Sequence, residues 1–462
     1  MEIGLGTRAV CAIAILLLAG CAGLKRSPHV APDTRTPGEW QYASAGAQAN
    51  KTEGWWRSFG DAELETLIDT ALLRNTRIAE AAITVRRAQL AAGLAEDRST
   101  PSFSTTLDTE MRRGLDSTNN MLKRSFGITG GVSHDLDLWG KLAAEYDAAT
   151  LEARATAEDK ENIALAVVGT TMTLYWRIAY LNERIALTRQ NVAALERILD
   201  LTRVRYESGA LSRFEVHQAE QVVFAQRANL SQLQQQRVEN HNALAILLDG
   251  PPQAPRTEPL RLPRTALPAV DLGLPAHMLG RRPDLRAAEL RLREALAISD
   301  AARASFYPTL KLTGGLGSTS IELAQILKSP VAVLGAGVTL PFLQWKERQL
   351  NHDIAKSDYE RAIVTFRAAL YRAFSEVENA LSARSRLEEQ HVLLEKSLAA
   401  AEEMTRITEI RYRAGAIQLN ILLDAEQTRR DAEAALLENR VNRLTNIVDL
   451  FIALGGEARA VQ

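Results

Sequence analysis

The hexapeptide RYESGA at Arg205–Ala210 returns 206 positions later as RYRAGA at Arg411–Ala416, and the match stays in register beyond it. Ala219-Glu220-Gln221 reappears as Ala425-Glu426-Gln427, and Gly250 as Gly456. Upstream, Pro101 and Pro308 stand 207 apart. A chain that repeats itself at this distance is constrained to fold as two like halves. Proline placement separates them. Eight of the fifteen prolines lie between Pro251 and Pro283, where the chain reads as an extended connector, while residues 102–250 and 342–462 contain none. Proline-free spans of that length suit uninterrupted helices and strands.

Each half follows one order. A helical stretch comes first, from Asp61 to about Glu96 and from Pro283 to about Ser305. Two strand-like segments follow, then a helix of nearly 70 residues, the RYxxGA turn, and a helix of about 40 that ends at glycine. Within the first long helix Leu174, Ile178, Leu181, Ile185, Thr188, Val192, Leu195, Leu199 and Thr202 alternate spacings of four and three. That is the 3.5-residue period of a left-handed coiled coil. Ile363, Phe366, Leu370, Ala373, Val377 and Leu381 keep similar spacing in the second half. At 1.5 Å per residue such a helix is about 100 Å long, more than a compact globule needs.

The strands point to a membrane. In SFGITGGVSHDLDL, from Ser125, the residues Phe126, Ile128, Val132, Leu136 and Leu138 alternate with Thr129, Ser133, Asp135 and Asp137. One face suits lipid and the other water, as in a transmembrane barrel strand. TLKLTGGLGS from Thr309 and VAVLGAGVTLPFL from Val331 alternate less cleanly, and SFSTTLDTEM from Ser102 is marginal alone. Four strands cannot close around an aqueous channel, and eight make a barrel filled by its own side chains. Twelve leave room for a pore, so membrane insertion requires several copies of the chain. This geometry does not choose three over four.

The N-terminus carries a further address. The apolar run Ala9–Leu18 is about half the roughly 20 residues of a spanning helix, and it reads as a signal peptide. It ends in Leu18-Ala19-Gly20-Cys21, which resembles a bacterial lipobox. In that resemblance cleavage precedes Cys21, which becomes the lipid attachment site, and Ala22 after it points to the outer membrane. Several acyl chains make a stable anchor where one does not. Cys11 leaves with the signal, so no thiol remains for a disulfide. With 55 basic and 56 acidic residues the chain shows no electrostatic footprint for nucleic acid.

These pieces resemble the TolC-like outer-membrane efflux proteins, in their lipoprotein (NodT-type, resistance–nodulation–division-associated) branch. The carrying residues are the lipobox, GWWRSFGDAELETLIDTALLRN from Gly54, DLDLWGK from Asp135, RRPDLRAAELRLREA from Arg281, FYPTL from Phe306 and the paired RYxxGA turns. The resemblance implies a mainly α fold with a small β part. Long antiparallel coiled-coil helices form a trimeric α-barrel, and four strands per chain contribute to a twelve-stranded transmembrane β-barrel. The expected divisions are a signal peptide (1–20), a lipid-anchored extended segment (21–60), a first repeat (61–250), a Pro-rich connector (251–282), a second repeat (283–456) and a tail (457–462). The implied function is the passive exit duct of a tripartite efflux system in the outer membrane, extending into the periplasm. Its implied partners are a homotrimer, a periplasmic adaptor, an inner-membrane pump of the resistance–nodulation–division type and membrane lipid.

In this family the two turns, with Gly209 and Gly415, lie at the periplasmic tip. Asp424 in LLDAEQ matches the place where related lipoproteins set a ring of aspartates in the closed mouth. Relatives pair it with an arginine three residues on; here that residue is Gln427. Leu422 and Leu423 are candidates for an apolar constriction, with core packing as the other reading. Tyr206 and Tyr412 either hydrogen-bond across hairpins or pack beside their own turn glycine. Trp55 and Trp56 read as packing for the N-terminal segment, with anchoring at the membrane interface as the alternative. No cofactor is expected beyond the lipid. His134, Asp135 and Asp137 do not form a metal site on a strand, because His134 points away from both acids. The sequence has no G-x-x-x-x-G-K-[ST], G-x-S-x-G, H-E-x-x-H or C-x-x-C, so no enzyme is expected. A duct for type I secretion or an ABC-type pump is the nearest alternative, and a lipid-anchored periplasmic coiled-coil scaffold is the alternative of another class.

Overall fold

The computed structural model describes residues 26–42, 54–113, 122–252, 258–264, 266–270 and 275–456. Cys21, the signal peptide and the tail from 457 lie outside the described residues. The order is α1 (Ala62–Arg74), α2 (Thr76–Asp97), β1 (Ser102–Arg113), β2 (Leu122–Leu136), α3 (Lys141–Glu207) and α4 (Arg213–Leu247). After the connector come α5 (Pro283–Ala304), β3 (Thr309–Ser320), β4 (Pro330–Thr339), α6 (Trp345–Arg413) and α7 (Leu419–Ala453). Two compact units emerge, one of Met1–Thr34, Ile83–Ala157 and Ala287–Ala368, the other of Arg35–Ala82, Glu158–Arg286 and Ala369–Gln462.

The first unit holds a four-stranded antiparallel sheet in the order β1-β2-β3-β4. Its register explains the uneven alternation of the single strands. Phe103 pairs with Val132, Val132 with Gly314, and Gly314 with Leu334; Leu107 pairs with Ile128 and Gly130 with Leu316. Because partners across a ladder share a face, the apolar residues of all four strands collect on one side. Ser104, Thr106 and Asp108 collect on the other with Thr129, Ser133, Lys311 and Thr313. Val331 and Val333 depart from this division and lie on the polar side. The apolar side is bare: Phe103 is 84% and Leu334 92% exposed. The outer edges of β1 and β4 are unpaired within the sheet, and a bare apolar face with open edges is unstable in water.

Two of the sequence motifs make corners between strands and helices, DLDLWGK between β2 and α3 and FYPTL between α5 and β3. Asp137 accepts a hydrogen bond from the Ala143 amide at 2.8 Å, capping the start of α3. The Trp139 indole donates to the Pro308 carbonyl at 2.7 Å and stacks on Tyr307 with ring centroids 4.8 Å apart. DLDLWGK and FYPTL therefore lock together. Nearby, Ser27 donates to Asp300 through its amide and its hydroxyl, at 2.8 and 2.6 Å, and Arg26 pairs with Asp147 at 2.5 Å.

On α5 the Glu294 carboxyl is pushed up to about 7, first by burial and then by repulsion from and hydrogen bonding to Glu152, with Arg291 pulling the other way. A carboxyl whose folded value is raised binds more protons folded than unfolded. Its contribution to stability is present at acid pH and is lost as pH rises from about 4.5 through 7. Glu294→Gln should remove that part of the pH dependence. Melting temperature measured from pH 5 to 8 checks this, and an unchanged slope would contradict it.

The second unit begins with a break in the expected single helix. Asn75 divides α1 from α2: its side-chain oxygen accepts from the Arg77 and Ile78 amides at 3.0 and 3.3 Å, and its amide donates to the Leu247 carbonyl at 2.7 Å. No proline or glycine announces this break, only the helix-capping habit of asparagine. Asp61 caps α1 and accepts a 2.9 Å bond from Tyr175, whose hydroxyl is pushed up by burial and by that carboxylate. The connector is not wholly extended, because Pro275–Arg281 forms a short helical stretch. The helices after the turns are 35 residues long, not 40.

Trp55 and Trp56 are both core residues, each 2% exposed, and Trp55 stacks on Phe451 at 4.6 Å. Arg282 donates to the Ala453 carbonyl at 3.1 Å and pairs with Asp284 and Glu376 at 2.7 Å each. GWWRSFGD, RRPDLR and the glycines ending α7 thus meet in one place. The coiled-coil positions from Ile178 to Thr202 are buried without exception, as are Phe366, Leu370, Ala373, Val377 and Leu381. One window of α3 is long and apolar enough to cross a membrane, but 67% of it is buried inside the protein, the pattern of a core helix.

Candidate functional site

The hairpin tips of the second unit explain the RYxxGA motif residue by residue. Gly209 adopts φ 79° and Gly415 φ 74°, the left-handed region that glycine enters without strain. The Gly209 amide donates to the Tyr206 carbonyl at 2.9 Å and the Ala210 amide to that of Arg205 at 2.8 Å. Gly415 to Tyr412 and Ala416 to Arg411 repeat the pair, both at 2.9 Å. Those two bonds define a Schellman motif, which satisfies the last carbonyls of a helix and stops it. Each hairpin then restarts differently. Ser212 caps α4 in a reciprocal box with Glu215, whose carboxyl the Ser212 bonds hold below the usual carboxylate range. Gln418 opens α7 without a side-chain cap.

A small core joins the two hairpins. Leu195 and Leu199 of α3, Val216, Ala219 and Val223 of α4, Tyr412 of α6, and Leu419, Leu422 and Leu423 of α7 pack together. Leu422 is 1% and Leu423 5% exposed. Both spend their surface on the core, because positions 422 and 423 lie on the inward side of α7, and this placement favours the core-packing reading of these leucines over the constriction.

The two tyrosines, alike in sequence, are placed differently. Tyr412 is buried, and its hydroxyl lies 3.3 Å from that of Thr202. Arg205 donates to the carbonyls of Tyr412 and Arg413 at 3.1 and 2.9 Å, with its guanidinium carbon 4.7 Å from the Tyr412 ring centroid. Tyr412 therefore bridges hairpins as well as packing beside its turn. Tyr206 is 44% exposed, and nothing among the described residues bonds its hydroxyl.

Asp424 lies one turn into α7, exposed, and no partner for its carboxylate occurs among the described residues. Gln427 does not turn toward it: its amide donates to Asp431 at 2.8 Å and its oxygen accepts from Arg430 at 2.7 Å. The neighbouring arginines are committed elsewhere. Arg429 pairs with Glu426 at 2.9 Å and with Glu433, and donates to the Asn191 side chain at 3.0 Å. Arg430 is 5% exposed, and burial pushes its guanidinium down. This buried ionic cluster, which ties α7 to α3 through Asn191, was not anticipated from sequence. Its only signal is a run of charges, Glu426 to Glu433, too dense to lie wholly on one solvated face.

Comparison with known proteins places this geometry. The sequence model of a family described as outer membrane efflux protein matches twice, at residues 67–250 and 274–456. A pyoverdine export outer membrane protein, OpmQ of Pseudomonas aeruginosa, is 30% identical over 96% of this chain and 96% of its own length. A probable efflux pump outer membrane protein, TtgC of Pseudomonas putida, is 27% identical over 96% of this chain and 94% of its own. Among solved structures, the open state of the MtrE outer membrane channel of Neisseria gonorrhoeae superposes with a TM-score of 0.84 at 28% identity. That match covers 94% of this chain and 98% of MtrE.

Proposed function

The chain belongs to the outer membrane efflux protein family, and from that premise we infer the role of each part in the exit duct of a tripartite efflux system. It is an outer-membrane efflux channel subunit that reaches into the periplasm. The observation that carries the finer reading is the sheet. Its apolar face is bare and its two edges are open, a surface that lipid and further copies of the same sheet would cover. Three copies supply twelve strands, enough for a water-filled barrel. The family is one of passive channels, so this chain hydrolyses nothing; an inner-membrane pump, of the resistance–nodulation–division type in this reading, supplies the energy.

The hairpin tips are the periplasmic mouth and the place where an adaptor docks. There Asp424 projects from α7 with no partner for its carboxylate among the described residues, and copies of it around the axis form an acidic ring drawn together through shared cations. Such rings favour cation passage. The lipid on Cys21 anchors the mature N-terminus. The experiment is to measure native mass and single-channel conductance in planar bilayers with purified lipidated protein. A trimeric mass with discrete conductance steps is the expected result. A folded, inserted protein that never conducts would displace the duct in favour of a lipid-anchored scaffold.

A further inference from the structure

The hairpin of β1 and β2 outreaches the rest of the sheet at the end remote from α2 and α3. Phe126 is the last residue of β2 that pairs with β3, opposite Ser320. Residues 122–125 stand beyond it and pair only with β1, with Arg113 opposite Leu122, Arg112 opposite Lys123 and Met111 opposite Arg124. Four cations therefore crowd into three successive rungs, all of them exposed. Like charges set directly opposite, as Arg112 and Lys123 are, destabilise a ladder, and an anion would relieve that repulsion.

The pleat divides the four. Arg112 and Lys123 lie on the polar side with Glu110, which pairs with Arg112 at 2.5 Å. Arg113 and Arg124 lie on the apolar side, in line with Phe103, Leu107, Ile128 and Val132. No carboxylate occurs on that side among the described residues of the four strands. The ladder also fixes their height. The ten steps from Leu136 to Phe126 cover about 34 Å along the strand at ~3.4 Å per residue. At a barrel strand's tilt of about 40° the rise is about 26 Å, the height of the ~25 Å apolar band of an outer-membrane barrel. Arg124 stands two residues beyond Phe126 on the same side, at the level where lipid phosphates begin.

We propose that Arg113 and Arg124 bind the phosphate groups of the glycolipid that forms the outer leaflet, drawing it against the first strand hairpin of each copy. This rests on the duct reading, which turns the apolar side of the sheet to lipid and the hairpin end outward. Guanidinium groups match phosphate through paired, charge-assisted hydrogen bonds. Acyl chains below those phosphates lie along Leu107 and Met111, both exposed.

The purified oligomer is titrated in detergent with bisphosphorylated lipid A, and retained lipid is counted by native mass spectrometry. Lipid A should bind at least about tenfold more tightly than its fully dephosphorylated form. Arg113→Gln/Arg124→Gln should remove that preference. Arg112→Gln/Lys123→Gln, with the same change of charge at the same height, should keep it. Equal retention of the two lipids by the unsubstituted protein overturns the proposal, since the apolar face then suffices. Equal loss in both double variants overturns it too, because the rim then acts only as diffuse charge. Displacement of lipid A by an equimolar amount of inorganic phosphate would make the occupant a free anion and overturn the lipid. Conductance of the same preparations keeps this proposal apart from its premise. Trimers that conduct without preferring the phosphorylated lipid overturn the proposal and leave the duct standing, whereas protein that neither assembles nor conducts overturns both.

Discussion

Gly455→Ala is expected to cost about 2–5 kcal/mol of stability. Gly455 sits at φ 78°, where an L side chain alone costs roughly 1–2 kcal/mol. The larger part comes from what the new methyl would strike. It would lie 2.7 Å from the Arg281 carbonyl carbon, 2.8 Å from its oxygen and 2.8 Å from the Arg282 nitrogen. These are backbone atoms, and they cannot yield cheaply. Arg282 is 8% exposed and held by the Ala453 carbonyl, Asp284 and Glu376, so moving its peptide loosens that whole set. Forcing an extra carbon into a packed core costs about 1–3 kcal/mol more. Gly60→Ala separates the two contributions, because Gly60 has φ 66° and open space at its missing Cβ. Thermal unfolding of both variants decides the matter. If Gly455→Ala loses no more than Gly60→Ala, the close approach at α7 is not a constraint.

Asp424→Ala is expected to enlarge single-channel conductance and to reduce the preference for cations. In the first turns of α7 Leu422 and Leu423 face the core, Gln427 is held by Arg430 and Asp431, and Arg429 is held by Glu426. Asp424 is left as the outward-facing charge. Carboxylates gathered about one axis repel by about 1 kcal/mol per pair at 4 Å in water, and by several times that as the surroundings dry. In the proposed duct such a ring stays narrow only when the carboxylates are hydrogen-bonded, protonated or paired with cations, and cations held there would make it both a filter and a closure. Asp424→Asn keeps the shape and removes the charge, so its conductance separates bulk from electrostatics. Steps of unchanged size and selectivity in both variants would move the gate to another turn of the tube.

The coiled-coil seam was legible because burial along a helix follows a countable period: the four-three spacing from Ile178 to Thr202 names buried residues throughout. The turns were legible because a Schellman motif needs glycine at one position and tolerates alanine at the next, and RYxxGA writes that requirement twice. The strands were legible in part. β2 alternates by itself, whereas β3 and β4 show their faces only when Gly314 is set beside Leu334 and Gly130 beside Leu316. The break at Asn75 escaped because its bond to the Leu247 carbonyl joins residues 172 positions apart.

Sequence alone determined the duplicated order of elements, the seams of the long helices and the two turns, since each depends on residues a few positions apart. Tertiary structure alone decided which copy of a repeated residue is buried. Tyr206 and Tyr412 share the same local sequence, and Leu422, Leu423 and Asp424 are consecutive on one helix. What distinguishes the tyrosines is that Tyr412 has Arg205 and Thr202 of the same chain against it, whereas Tyr206 has no such neighbour among the described residues. What distinguishes the three consecutive residues is which side of α7 meets the core. Burial is set by what packs against a residue from a distant part of the chain, and local sequence carries no record of that.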